Sequence, residues 1–357
     1  MGEPLDRKVK TVFVTPLDWG LGHATRCIPV IDALLNSGYK VLLGGSGLSG
    51  KLLQEHYPKL EYIALPEYNL HYSNRLPMAL SLLAQWPKVR KAMKAEQKIL
   101  AFLKEQKRFD LLINDNRLGC QVEADSIYLT HQLQIAAPFA FVERLLSQIH
   151  QSFYKNYKAI WVPDFPEAPG LAGKLSHPTK VDDRVRYIGP ITRFTEQEHN
   201  PSQKVLLLLS GLEPHRTNWE NSLLEQAKNL PEEQFVLVRG KPNGTDHLEA
   251  PDNVTIFSHL PSEKLQTQIA TSKLTVCRTG YSTLMDLTKI EVPIALCPTP
   301  EQTEQEYLAK ELSSHTYVRK QNEFQLSEAL ESKTKSLQKF VGPEDLLNQA
   351  IESLLDD

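Results

Sequence analysis

The 357-residue chain has only four cysteines, Cys27, Cys120, Cys277 and Cys297. They lie far apart with no CxxC pair, which excludes a disulfide framework and a cysteine-based zinc site. Long apolar runs are missing as well. No stretch reaches the ~18 apolar residues of a membrane span, and the richest, Val205–Leu209, is of strand length. The opening residues, MGEPLDRKVK, lack the apolar core of a signal peptide. Charge of one sign is also lacking: Lys+Arg 40 against Asp+Glu 43 leaves −3. A dedicated nucleic-acid binder carries a basic excess that this chain does not have. What is present, 41% hydrophobic and 23% charged residues, is the composition of a folded globular chain. The length suits two domains. The expectation is a soluble, cytoplasmic protein.

Short apolar runs alternate with helix-length amphipathic segments, the pattern of βαβ units and a mostly parallel sheet. In the first half the strand candidates are Thr11–Thr15, Lys40–Leu43, Glu61–Leu65, Leu111–Asn114, Ile127–His131 and Ala159–Val162, with helices over His23–Asn36 and Pro77–Phe109. Residues Pro163–Pro201 interrupt the rhythm with many prolines and glycines. A second series follows at Val205–Leu209, Phe235–Val238, Val254–Phe257, Leu274–Cys277 and Ile294–Cys297. The fold class expected is α/β, with two Rossmann-like doubly wound domains, 1–195 and 196–357, facing across a cleft. The carboxyl ends of the strands are the default ligand site.

The segment PLDWGLGHATR, Pro16–Arg26, joins the first strand to the first helix. Gly20 and Gly22 allow a tight turn and a close ligand approach. A dinucleotide fingerprint fits poorly, because Thr25 stands at the third glycine position and the second strand ends in Gly44–Gly45 rather than an acid. His23 at the helix start reads either as a capping or core histidine or as a general base kept neutral by the helix dipole. Asp18 reads either as its catalytic neighbour or as a turn-forming aspartate.

In the second half, Ser210–Gly211 after a strand forms an amide nest suited to an anion such as phosphate. LTVCRTGYSTLMDL, Leu274–Leu287, repeats the pattern with Arg278, Thr279 and Gly280, followed by Ser282, Thr283 and Asp286. Asp286 is placed to accept hydrogen bonds from a sugar-like diol, or is simply an exposed helix charge. Gln302, Gln305 and Glu306 crowd the first turn of the next helix, where amide and carboxylate groups suit a hydroxyl-rich ligand.

The stretch VCRTGYSTLMDL…VPIALCPTPEQTEQEY, Val276–Tyr307, resembles the donor-binding domain of GT-B glycosyltransferases, in particular glycosyltransferase family 28, which includes the N-acetylglucosaminyltransferase of the peptidoglycan lipid intermediate. GLGH, Gly20–His23, is similar to that family's glycine-glycine-histidine loop. The resemblance implies that Gly20, Gly22, Ser210, Gly211, Arg278, Thr279 and Gly280 face the diphosphate of a nucleotide-sugar, with uridine as the base. It implies that Ser282 and Asp286 meet the ribose, that Gln302, Gln305 and Glu306 read the sugar, and that His23, with Asp18, is catalytic. It also implies inverting stereochemistry, and that a final helix near Pro343–Leu355 crosses back to the first domain. Three departures stand out. Asp286 replaces the family's glutamate, Glu306 replaces the second glutamine, and the acceptor-side candidates Asp115, Asn116, Arg117, His131 and Gln132 match no assigned acceptor loop.

The expected reaction is transfer of a hexose or N-acetylhexosamine from a nucleotide diphosphate to an acceptor hydroxyl. No DxD motif is present, so no metal or other cofactor is expected. The alternatives are a nucleotide-sugar epimerase, for which no second acid/base group is found, and a non-catalytic nucleotide-sugar-binding partner protein. Residues 77–109 carry eight basic residues against two acidic, a net +6 in a chain of −3. They follow the apolar stretch Leu76–Trp86. That segment is read either as a core helix with a solvated basic face or as a contact with an anionic membrane bearing a lipid-linked acceptor.

Overall fold

The computed structural model describes residues 10–69, 78–121, 125–137, 139–211, 213–242, 244, 248–337 and 345–356, without the side chains of 78–84, 355 and 356. β1 (Thr11–Pro16), β2 (Lys40–Gly45), β3 (Glu61–Ala64), β4 (Leu111–Asp115), β5 (Ser126–Leu129), β6 (Ala159–Val162) and β7 (Val185–Tyr187) form one parallel sheet in the order β3-β2-β1-β4-β5-β6-β7. Parallel strands covered on both faces are apolar throughout. Accordingly Val12, Phe13 and Val14 of β1 are fully buried. α1 (Gly22–Asn36), α2 (Gly47–His56), α3 (Met78–Glu105) and α4 (Ala140–Tyr154) connect these strands.

The second sheet has the order β10-β9-β8-β11-β12-β13, again parallel. Its strands are β8 (Lys204–Leu208), β9 (Gln234–Val238), β10 (Val254–Phe257), β11 (Leu274–Cys277), β12 (Ile294–Leu296) and β13 (Tyr317–Val318). α5 (His215–Lys228), α6 (Ser262–Ala270), α7 (Tyr281–Leu287), α8 (Thr303–Leu312) and α9 (Leu326–Glu331) accompany them. Strand order reverses between β1 and β4 in one sheet and between β8 and β11 in the other. Open α/β sheets bind ligands at such switch points, at the carboxyl ends of the strands.

α10 (Leu346–Asp356) lies against the first sheet's side of the molecule. Lys10 Nζ donates to the Leu354 carbonyl at 2.9 Å, and Tyr39 Oη to that of Ile351 at 3.4 Å. The helix expected over Pro343–Leu355 thus begins at Leu346, and residues 343 and 344 lie outside the described residues. The same holds for Leu76, Pro77 and the side chains of Leu80, Leu82 and Leu83 in the apolar stretch before α3. Among the described residues no helix is long and apolar enough to cross a membrane.

The strand expected over Ile127–His131 ends at Leu129 instead. The chain turns out of the sheet there and carries His131 into the cleft. β7 and β13 span three and two residues, too short for a periodicity to register.

Candidate active site

Sheet register builds the first half of the site. β1 pairs with β4 so that Pro16 stands opposite Asp115, and the Leu17 amide donates to the Asp115 carbonyl at 2.9 Å. The turn that follows holds Gly20 at φ +70°, a left-handed conformation that glycine adopts without penalty. It feeds α1, whose second residue is His23. His23 Nδ1 lies 3.2 Å from Asp115 Oδ2, with the Asp115 side chain fully buried and that of His23 18% exposed.

Arg26, one turn further along α1, joins the same pair. Its Nε donates to Asp115 Oδ2 at 2.7 Å, and its Nη2 donates to Asp115 Oδ1 and lies 2.7 Å from His23 Nδ1. Nη1 lies 3.3 Å from His131 Nδ1. Burial, and then Arg26, push the His23 imidazole below its ordinary value, against the pull of Asp115. Burial would raise the Asp115 carboxyl, but Arg26 and His23 outweigh it and hold the group ionised well below the usual range. The site therefore presents a neutral imidazole over a fixed carboxylate.

The two halves are in direct contact beside this site. His131 stacks on Tyr281 of α7, with ring centroids 4.1 Å apart and planes 6° apart. Its Nε2 is 2.9 Å from Oε1 of Glu304, on the first turn of α8, and Gln132 Nε2 donates to the other oxygen. Tyr281 Oη donates to the Pro163 carbonyl at 2.7 Å, and Ser282 Oγ to the Gly22 carbonyl at 3.2 Å. A Cβ on Gly22 would stand 3.1 Å from Ser282 Oγ, so a side chain there would crowd the junction.

On the second sheet, Gly211 has φ +102°, and a Cβ built on it would lie 3.7 Å from Thr299 Oγ1. That hydroxyl is buried without a hydrogen-bond partner among the described residues. Thr279 Oγ1 donates to the Gln305 carbonyl at 2.8 Å, and the Gln305 side chain accepts from the Thr299 amide at 2.9 Å. Ser210, Gly211, Thr279, Gly280 and Thr299 thus follow the carboxyl ends of β8, β11 and β12, where they supply small residues, amides and hydroxyls.

Several residues singled out in the sequence sit elsewhere. Asp18 does not pair with His23. Its Oδ2 accepts from Ser46 Oγ at 2.9 Å and from the Tyr68 amide at 3.1 Å, which anchors the loop after β1. Arg117 is 1% exposed and bonded to Glu96 at 2.6 Å, so it faces the interior rather than an acceptor. Asn116, at φ +61°, accepts from Tyr128 Oη at 2.8 Å. Arg278 is fully buried, donating to the Pro298 carbonyl and Gln321 over the Trp219 ring, and burial lowers its guanidinium to about 10. It supports the strand ends from beneath and is not a surface arginine.

Asp286 is not an exposed helix charge. It accepts from Thr192 Oγ1 at 2.7 Å and lies 3.5 Å from Arg193 Nε, while burial raises its carboxyl above the ordinary value. Gln302 is the N-cap residue of α8, and Glu306 accepts from the Glu301 amide at 3.2 Å. Sequence reasoning missed Glu304 and Arg26. Both were visible as charged residues in the first turns of helices that follow candidate strands. What could not be read is that both turn inward.

Residues 218–348 match the model of the glycosyltransferase family 28 C-terminal domain. A protein of Methanosarcina acetivorans described as an uncharacterized glycosyltransferase is 24% identical over 318 residues, covering 84% of this chain and 82% of its own. A Methanosarcina mazei protein described in the same words is 23% identical with the same coverage. Among solved structures, MurG of Acinetobacter baumannii superposes with a TM-score of 0.59 at 14% identity, covering 98% of this chain and all of its own. The spinosyn rhamnosyltransferase SpnG complexed with thymidine diphosphate gives 0.57 at 16% identity, over 97% of this chain and 92% of its own. The fold and the domain match agree: the chain is a glycosyltransferase with the GT-B fold, and its second half is similar to the C-terminal domain of family 28.

Proposed function

We propose that the protein transfers a hexose or N-acetylhexosamine from a UDP-linked sugar to an acceptor hydroxyl, with inversion and without a metal. The His23–Asp115 contact carries this reading. A neutral imidazole beside a buried carboxylate, which orients the ring once Nδ1 carries the proton, is the arrangement that accepts a proton from an attacking hydroxyl. As the acceptor oxygen bonds to the anomeric carbon, its proton passes to His23 and the bond from that carbon to the diphosphate breaks. Negative charge then develops on the diphosphate. The amides of Gly211 and Gly280 and the free Thr299 hydroxyl are suited to receive it in place of a cation.

Asp286 would receive the ribose by exchanging its bond from Thr192, and the first turn of α8 would face the sugar. A neighbour in complex with thymidine diphosphate supports a nucleoside-diphosphate ligand for this fold. Calorimetric titration with UDP, GDP, dTDP and their sugar conjugates, in EDTA, tests the donor half. The reading requires micromolar binding of UDP and its conjugates that is lost in Asp286→Ala. Absence of binding by every nucleotide overturns it.

The acceptor is proposed to be lipid-linked, which would place the protein at the anionic cytoplasmic face of a membrane. Lys88, Arg90, Lys91, Lys94 and Lys98 all lie on the exposed side of α3, while Glu96 turns inward to Arg117. Phe141, Leu145 and Ile149 of α4 are exposed at 73%, 55% and 46%. Apolar and basic exposed surface suits peripheral docking. Sedimentation with anionic liposomes, but not with neutral ones, is the expected result.

A further inference from the structure

Arg26 presents a conflict that chemistry resolves in only one way at a time. His23 Nδ1 has two neighbours within hydrogen-bond reach: Asp115 Oδ2 at 3.2 Å and Arg26 Nη2 at 2.7 Å. A carboxylate only accepts and a guanidinium only donates. Nδ1 either carries a proton toward Asp115 or offers its lone pair to Arg26. With hydrogens on both nitrogens, a 2.7 Å contact would be repulsive, so the observed geometry selects the lone pair. The neutral ring then carries its proton on Nε2, the nitrogen that would have to be bare to act as a base.

The same side chain fixes a second ring. Nη1 donates toward His131 Nδ1 at 3.3 Å, which leaves the His131 proton on Nε2, 2.9 Å from Glu304 Oε1. One buried guanidinium thus addresses both histidines and clamps Asp115 with its remaining donors. The charged or titratable groups around His23 are Arg26, Asp115, His131 and, through Asp115, Cys27, with Glu304 beyond His131.

We propose that Arg26 is a positioning residue that holds His23 and His131 as Nε2–H tautomers in the free protein. His23 becomes a base only when the guanidinium leaves Nδ1. The ring then stays neutral. Nε2 gives its proton to water, Nδ1 takes one from water, and Nδ1–H donates to Asp115. The base is thereby masked until the site rearranges. The inference rests on the transferase reading only for the role of His23. The tautomer itself is a property of the unliganded chain.

Long-range ¹H–¹⁵N spectra of the ¹⁵N-histidine-labelled full chain, without substrate, read which ring nitrogen is protonated. Assignment uses His23→Gln and His131→Gln. The expected result for the wild type is a protonated Nε2 and a bare, downfield Nδ1 on His23 from pH 6 to 8, and the same tautomer in the neutral form of His131. Arg26→Lys lacks the second amino group that reaches Nδ1. In it the downfield signal of His23 is expected to move from Nδ1 to Nε2, and its titration midpoint to rise. A wild-type His23 with bare Nε2 overturns the proposal, even if Arg26→Lys does not fold. So does a folded Arg26→Lys that keeps the wild-type pattern. Failure of the transferase reading would show separately, as absent nucleotide binding with the tautomer as expected.

Discussion

Glu304 accepts a hydrogen bond from His131 Nε2 at 2.9 Å, so the first turn of α8 in the second domain is tied to the end of β5 in the first. The His131 and Glu304 side chains are 7% and 22% exposed. A hydrogen bond to a charged group at such a site contributes about 1.5–3 kcal/mol. A double-mutant cycle of His131→Ala and Glu304→Ala, followed by urea unfolding, should give a coupling energy of that size. A cycle in which the two losses simply add would mean that the His131–Glu304 bond contributes nothing of its own to the junction.

His23→Ala should lower turnover by about 10²–10⁴-fold, the ordinary worth of a positioned base. Nucleotide affinity should stay within a factor of about two to three, the usual context scatter of a single contact, since Thr299 and Gly211 belong to the other sheet. Turnover and calorimetry on the same preparation separate the two. Parallel loss of both would make His23 a structural residue of the cleft.

The pH dependence has a definite sign. The base must be neutral, and burial and Arg26 lower the His23 pKa from its unperturbed value of about 6.5. Activity should therefore persist as pH falls through that value and decline only below it. A profile of kcat/KM from pH 5 to 9 checks this. An acid limb above the unperturbed value would show that Asp115 outweighs Arg26 at this ring.

Much of the fold was legible in the sequence because parallel strands buried on both faces must be continuously apolar, as Val12–Val14 and Val205–Leu207 are. The two glycine-rich turns were legible for a similar reason. A left-handed Gly20 and a Gly22 pressed against Ser282 admit few other residues. Pairings across the cleft were not. Asp115 and His23 are 92 positions apart and meet only because β4 lies beside β1. Asp18, the nearer acid in sequence, bonds Ser46 and Tyr68 instead. At α8, helical spacing showed which residues share a face but not which face meets the other domain. Gln305 turned inward to Thr299, and Glu304, one position earlier, received the role across the cleft.

The second sheet also contains a buried charge cluster whose loss should be costly. Glu220, 1% exposed on α5, accepts from Arg216 at 2.8 Å and from Arg239 at 2.8 and 3.0 Å. Burial alone would raise its carboxyl, but bonds from Arg239 and Arg216 overcome that and lower it. Removing the carboxylate leaves Arg216 to Glu213 and takes from Arg239 its bonds to Glu220, and breaking a buried pair in this way costs about 3–5 kcal/mol. Glu220→Ala should lose that much in urea unfolding, followed by the fluorescence of Trp219, which is buried on the same helix. Because the folded pKa is depressed, the carboxylate's contribution is complete above the unfolded value of about 4.3 and fades as pH falls through the folded one. The difference between wild type and Glu220→Ala should therefore be largest near neutrality and shrink on acidification. A difference that stays constant down to pH 3 would mean that Glu220 acts through packing rather than through its charge.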